Sequence, residues 1–160
     1  MKINRILVPT DFSGPAREAT DHALELARLY GASIHLFHVI EDPIAYTPAL
    51  GGYMPLSPAE LDEFSAGTLD EWLAPEETEG VTIERSSTHG HPVTKILECA
   101  RDSGCDMIVM GTHGRGMVSH MLMGSVAERV VRKAKCPVLT VHPQVAHEQV
   151  FDPPVAAVEG

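Results

Sequence analysis

The stretch MIVMGTHGRGMVSHMLMGS, residues 107–125, contains an apolar run, a glycine-rich segment and the start of a helix. Met107–Met110 is apolar throughout, which is typical of a strand covered on both faces. From Ser125 to Ala134, apolar residues recur at helical spacing and are predicted to face inward: Val126, Ala127, Val130 and Val131. The stretch therefore predicts a strand, a loop and a helix, which is the repeating unit of a parallel α/β sheet.

The rest of the chain repeats this alternation. The predicted strands are Arg5–Pro9, Ser33–Ile40, Val81–Ser86, Met107–Met110 and Pro137–Val141. The predicted helices are Ala16–Tyr30, Pro58–Leu73, Pro92 to about Ser103, and Ser125–Ala134. We expect an α/β fold with a single open, doubly wound, five-stranded parallel sheet, strand order 3-2-1-4-5 and helices on both faces, which is a Rossmann-like arrangement. Ligands of such sheets bind beyond the carboxyl ends of the strands.

The chain has 160 residues, enough for one domain with a sizeable core. We expect this domain to occupy residues 1–143, with a long flap at about 41–57 that is rich in proline and glycine. The flap either packs on its own domain or contacts a protein partner. Residues 144–160 lose apolar periodicity, so we expect an extended or disordered tail.

Acidic residues outnumber basic ones by 22 to 12, and the formal net charge is -10. Such a chain repels nucleic acid and anionic membranes, so an anionic ligand must be held by local dipoles and backbone N–H groups. The three cysteines are an odd number without a CxxC pair, which favours a reducing compartment and gives no metal-ligand spacing. Because there is no signal-like or membrane-spanning apolar run, we expect a cytoplasmic protein that does not insert into membranes.

Glycines in the quoted stretch allow phosphate oxygens to approach the backbone closely. Gly124 and Ser125 lie where a helix begins, and the free N–H groups and the positive dipole end there favour an anion. The stretch is not a Walker A loop, because no lysine precedes Ser125. It is not the dinucleotide fingerprint either, because it follows the fourth strand rather than the first. From the glycines alone, a turn without a ligand remains an equal alternative.

Residues 111–142 resemble the C-terminal signature of the universal stress protein family. ATP-binding members of that family carry Gly-x2-Gly-x9-Gly-Ser or Gly-Thr, and Gly111, Gly114, Gly124 and Ser125 match this spacing. Three further segments resemble the family: RILVPTDFS at 5–13, HVI at 38–40 and HGHP at 89–92. The resemblance extends over residues 3–142.

The resemblance implies a nucleotide site at the carboxyl ends of the strands. There Asp11, which follows Pro9 and Thr10, would bond the ribose hydroxyls, although from its position it can equally be a helix cap. Main-chain groups of Val39 would contact adenine, and Met110 would line the pocket. Gly111 and Gly114 would border the ribose and phosphates, and Gly124, Ser125 and Val126 would hold the phosphates. Two side chains inside the loop, His113 and Arg115, either contact phosphate or are simply exposed to solvent.

The resemblance also implies a function, namely an ATP-binding regulatory or stress-response homodimer. Val138–Val141 would pair across the dimer, and Mg²⁺ or Mn²⁺ would accompany the triphosphate. We do not expect a dedicated enzyme, because fast phosphoryl transfer needs positioned metal ligands and a residue that orients the nucleophile. Slow ATP hydrolysis and a dimerisation or adaptor module that binds no nucleotide are the alternatives.

Overall fold

The computed structural model describes residues 2–41, 57–112 and 123–142. Five parallel strands form one sheet in the order β3-β2-β1-β4-β5, as predicted. The strands are β1 (Arg5–Thr10), β2 (Ser33–Ile40), β3 (Ile83–His89), β4 (Met107–Gly111) and β5 (Val138–Val141). The helices are α1 (Gly14–Tyr30), α2 (Pro58–Glu71), α3 (Pro92–Asp102) and α4 (Ser125–Lys133), and a 3₁₀ turn spans Pro75–Thr78.

Helix α1 shows how local sequence fixes an element beside the carboxyl ends of the strands. The hydroxyl of Ser13 accepts a hydrogen bond from the N–H of Ala16, and Pro15 lies in the first turn, where its missing N–H costs nothing. At the other end, Gly31 adopts φ 67°, and its N–H donates to the carbonyl of Ala27. The helix therefore begins directly after β1 and returns the chain to the start of β2.

The core divides into two clusters, one on each face of the sheet. Ile6 and Val8 of β1 belong to one cluster. It also contains buried residues of α1, Leu69 near the end of α2, and Leu73 just after that helix. Leu7, between Ile6 and Val8, points to the opposite face and packs with residues of α3 and α4. Alternation along a strand sends successive side chains to opposite faces, so helices on both faces follow from the apolar strands.

Two details of the sequence prediction are wrong. Strand β3 begins at Ile83 and continues to His89 rather than spanning 81–86, because its pairing with β2 extends to Ile40 opposite His89. Val131 is 44% exposed, because the buried residues of α4, Ala127 and Val130, lie on another side of that helix.

A histidine is buried at the middle of β2. His35 is 4% exposed, and its Nε2 lies 2.7 Å from the hydroxyl of Ser86 on β3. Its Nδ1 lies 3.5 Å from the hydroxyl of Ser103, which follows α3. Burial lowers the pKa of His35 below its ordinary 6.5, and this outweighs Glu84, which acts to raise it. The neutral ring therefore joins β2, β3 and the end of α3.

The three cysteines are free thiols. Cys105 is buried, and burial raises its pKa to about 11. Within the described segments, no helix is long and apolar enough to cross a bilayer.

Candidate functional site

The ends of β1, β2 and β4 meet at one edge of the sheet. Thr10 lies opposite His38 in the β1–β2 register, so Asp11 and Val39, one residue further along each chain, lie at the same edge. Strand β4 pairs with the other side of β1 and ends at Gly111. The structure therefore brings together the β1, β2 and β4 residues expected at the nucleotide: Pro9, Thr10, Asp11, Val39, Met110 and Gly111.

Asp11 is fixed by a short turn between β1 and α1. Its Oδ1 accepts hydrogen bonds from the N–H of Ser13 at 3.1 Å and from the hydroxyl of Ser13 at 2.5 Å. Ser13, not Asp11, is the N-cap of α1. The helix-cap interpretation of Asp11 is therefore wrong, and its carboxylate is oriented by the residue that does cap the helix.

Phe12, between them, is an unexpected feature of this turn. Its φ is 63°, in the left-handed region that bulky residues rarely occupy. Its N–H donates to Oγ1 of Thr10 at 3.0 Å. The centroid of its ring lies 4.4 Å from the centroid of the His38 ring. Nδ1 of His38 donates a hydrogen bond to the carbonyl of Thr10 at 2.8 Å. Neither Phe12 nor His38 was predicted as a site residue, because no pattern in this sequence marks Phe12 for positive φ.

Close packing leaves no room for a side chain at Gly111. A Cβ at this position would lie 2.9 Å from the backbone carbon and oxygen of Pro15. The end of β4 is thus in close contact with the first turn of α1. This contact is sufficient to require glycine at position 111, whether or not a ligand binds there. It also places the end of β4 beside the start of α1 at the carboxyl edge of the sheet.

Thr112 links the glycine-rich segment to the sheet. It is 1% exposed, its N–H donates to the carbonyl of Val141, and its carbonyl accepts from the N–H of Gly124 at 2.6 Å. Its Oγ1 lies 3.2 Å from Nδ1 of His142. Thr112 was not among the predicted site residues. Its position directly after Gly111, the first glycine of the motif, is the sequence feature that could have identified it.

Helix α4 begins at this edge of the sheet. Gly124 is its N-cap and supplies no side-chain cap, and Ser125, the first helical residue, is exposed. The first intrahelical bond runs from the N–H of Glu128 to the carbonyl of Gly124 at 2.9 Å. The N–H groups of Ser125, Val126 and Ala127 precede that bond, and such groups bind anions in many proteins. Gly124 has φ -70° and ψ 153°, angles open to any residue, so its backbone conformation does not require glycine.

A family model matches residues 2–142, and its description is the universal stress protein family. The chain belongs to this family. Universal stress protein MJ0531 of Methanocaldococcus jannaschii is 36% identical over 138 residues, which cover 86% of this chain and 81% of that protein. MJ0577 of the same organism is 30% identical over 151 residues, which cover 86% of this chain and 93% of that protein.

Solved structures of universal stress proteins share the fold. The structure of MJ0577 matches with a TM-score of 0.76 at 29% identity and covers 91% of this chain and 100% of that one. A universal stress protein in complex with cAMP has a TM-score of 0.65 at 23% identity, covering 89% of this chain and 98% of that one. One from Archaeoglobus fulgidus in complex with dAMP has a TM-score of 0.58 at 24% identity, covering 88% and 98%. Structural neighbours of this universal stress protein thus bind nucleotides.

Three residues expected to contact the nucleotide of this universal stress protein belong to the segment 113–122. His113, Gly114 and Arg115 lie outside the described residues, as do nearly all of the flap at 41–57 and the tail at 144–160. Across residues 2–41, 57–112 and 123–142, no group of three or more His, Cys, Asp or Glu side chains could hold a metal ion.

Proposed function

We propose that this universal stress protein binds ATP and acts as a regulatory or stress-response homodimer. The observation that carries the proposal is the start of α4. Its N-terminal N–H groups lie at the carboxyl edge, tied to the end of β4 through the bond between Gly124 and Thr112. Asp11 directly follows the neighbouring strand β1 at the same edge.

The phosphates are held mainly by backbone groups in this proposal. The chain carries a net charge of -10, so its overall field opposes an anion. The first turn of α4 contains an acidic residue, Glu128, which pairs with Arg132 at 3.0 Å. The positive end of the helix dipole and the N–H groups of Ser125 and Val126 must therefore supply the attraction. The hydroxyl of Ser125 adds one donor.

The adenosine end is bound along β1, β2 and β4. The carboxylate of Asp11 accepts hydrogen bonds from ribose hydroxyls, which are donors that a carboxylate can pair with. The main chain of Val39 at the end of β2 faces adenine, and Met110 lines the apolar side of the pocket. The Gly-x2-Gly-x9-Gly-Ser spacing of residues 111–125 supports this assignment. The cAMP and dAMP complexes support it at the level of the fold, because both ligands are adenine nucleotides.

Mg²⁺ or Mn²⁺ enters with the triphosphate rather than through a protein cage. The described segments offer no cluster of metal-ligating side chains, so phosphate oxygens and water would supply most ligands of the ion. Free thiols fit a cytoplasmic location.

The dimer is formed through β5. This strand is the last in the sheet order, and Leu139 on it is 40% exposed. The carbonyls of Pro137 and Val141 bond to N–H groups on the β4 side, so the backbone groups of Val138 and Thr140 point to the outer edge. Among the described residues no strand pairs with this edge, and a second copy of β5 would cover both the edge and the exposed leucine.

Thermal unfolding with and without Mg-ATP tests the nucleotide proposal. A ligand at 100 times its Kd adds about 2.7 kcal/mol to the free energy of unfolding. For a domain of this size, this corresponds to a rise in Tm of roughly 5–10 °C. Sodium triphosphate at the same concentration is the control for a general anion effect. No rise with Mg-ATP, together with no heat in calorimetry, would refute ATP binding.

A further inference from the structure

Phe12 is the one residue other than glycine with positive φ in the described part of the chain. A left-handed conformation is unfavourable for a bulky residue and persists only where surrounding contacts impose it. Phe12 directly follows Asp11, the residue proposed to bind ribose. The strained position therefore lies next to a functional group rather than in a remote loop.

The left-handed turn fixes the direction of the Asp11 carboxylate. On one side of Phe12, its own N–H donates to Oγ1 of Thr10 at 3.0 Å. On the other side, the N–H of Ser13 donates to Oδ1 of Asp11 at 3.1 Å. These two bonds bracket Phe12, so a change in its φ breaks the geometry of at least one of them. The orientation of Asp11 therefore depends on the backbone of Phe12.

Two side chains hold the Phe12 ring in place. The centroid of the His38 ring lies 4.4 Å from that of Phe12. The centroid of the Trp72 ring lies 5.5 Å from that of Phe12, and the two planes meet at 65°. Both partners are anchored themselves. His38 Nδ1 donates to the carbonyl of Thr10 at 2.8 Å, and Trp72 Nε1 donates to Oγ1 of Thr20 at 3.1 Å. These ring contacts favour the observed position of the Phe12 ring and so act against the cost of the left-handed turn.

We propose that Phe12, held by His38 and Trp72, is a positioning residue that orients Asp11 toward the ribose hydroxyls. This role rests on the proposed ATP-binding function. A ring that only filled space would affect every ligand of the site equally. A ring that orients Asp11 affects only ligands whose ribose hydroxyls reach that carboxylate.

Two nucleotides separate these possibilities: ATP and 2′,3′-dideoxyadenosine triphosphate, which lacks both ribose hydroxyls. Calorimetry should show that the wild type binds ATP more tightly by about tenfold or more, because a carboxylate accepts those hydroxyls. Phe12→Ala should reduce this ratio to about one, mainly through weaker ATP binding. Phe12→Tyr keeps the ring and should keep the ratio. Trp72 is the single tryptophan of the chain, so its fluorescence reports on the Phe12 contact in each variant.

His38→Phe is the second variant, in case Phe12→Ala does not fold. It keeps a ring beside Phe12 but removes the donor to Thr10, so it should lower the ratio with only a small change in Tm. Equal losses for both nucleotides, or an unchanged ratio in folded Phe12→Ala and His38→Phe, would overturn the positioning role while ATP binding stands. A wild type that binds neither nucleotide would overturn the proposed function and this role with it.

Discussion

The N–H of Gly124 donates a hydrogen bond to the carbonyl of Thr112 over 2.6 Å. This bond joins the residue that caps α4 to the residue that follows β4. Thr112 also donates to the carbonyl of Val141, so β4, β5 and the start of α4 are held together by one buried threonine. The N–H groups proposed to bind phosphate are thus fixed relative to the sheet before any ligand arrives, which limits the entropy lost on binding.

Gly111→Ala should destabilise the fold even when no ligand is bound. The added Cβ would lie 2.9 Å from the backbone of Pro15, so β4 or α1 must shift. Overpacking of this kind costs about 1–3 kcal/mol in the free energy of unfolding. Urea unfolding of the nucleotide-free protein measures the effect.

Gly67→Ala is the matched control. Gly67 lies within α2, and a Cβ there meets nothing within 4 Å. Alanine has the higher helix propensity, so this variant should be more stable by about 0.5–1 kcal/mol. Equal stability changes in the two variants would show that the contact with Pro15 does not determine the effect at Gly111.

The positions of the strands and helices could be predicted because the signals are local. Apolar runs such as Met107–Met110 mark strands covered on both faces, and Pro15 and Gly31 mark the limits of α1. The universal stress protein family could be recognised from the spacing of Gly111, Gly114, Gly124 and Ser125. Ser125 was expected at the start of a helix, and it is the first residue of α4.

Other features depend on contacts that no local pattern contains. The left-handed conformation of Phe12 depends on His38 and Trp72, which are distant in sequence. The burial of Thr112 depends on its bond to Val141 across the sheet. Val131 was expected inside because it is apolar, but its exposure depends on which side of α4 meets the sheet.

His35 should make the stability of the protein depend on pH. Burial holds its folded pKa below 6.5, so the unfolded chain binds a proton at a higher pH than the folded chain does. The free energy of unfolding should therefore fall as pH decreases through about 6.5 toward the lower folded pKa. His35→Gln, which keeps a donor near Ser86, should remove this part of the pH dependence in urea unfolding between about pH 7 and 5.

The control for this experiment is His22→Gln, because His22 is exposed on α1. It should leave the pH dependence of wild-type stability unchanged. If His22→Gln flattens the profile as much as His35→Gln does, the buried ring is not the source.

If the proposed dimer forms through β5, Thr140→Pro should give a monomer while the fold remains intact. The N–H of Thr140 points to the outer edge of β5, where proline is tolerated within a single sheet but cannot donate to a partner strand. Analytical ultracentrifugation at micromolar concentration measures the change, and Thr140→Val, which keeps the N–H, is the control. A dimer that survives Thr140→Pro would place the interface elsewhere.

Calorimetric titration of Mg-ATP into Gly124→Val and Ser125→Ala, beside the wild type, tests the claim that backbone groups at the start of α4 hold the phosphates. The backbone angles of Gly124 are open to valine, so the variant should fold, but its branched side chain would stand where phosphate approaches. Gly124→Val should abolish detectable binding, whereas Ser125→Ala should cost about 0.5–1.5 kcal/mol, because it removes one hydrogen bond and leaves the N–H groups intact. Wild-type affinity in folded Gly124→Val would contradict the account.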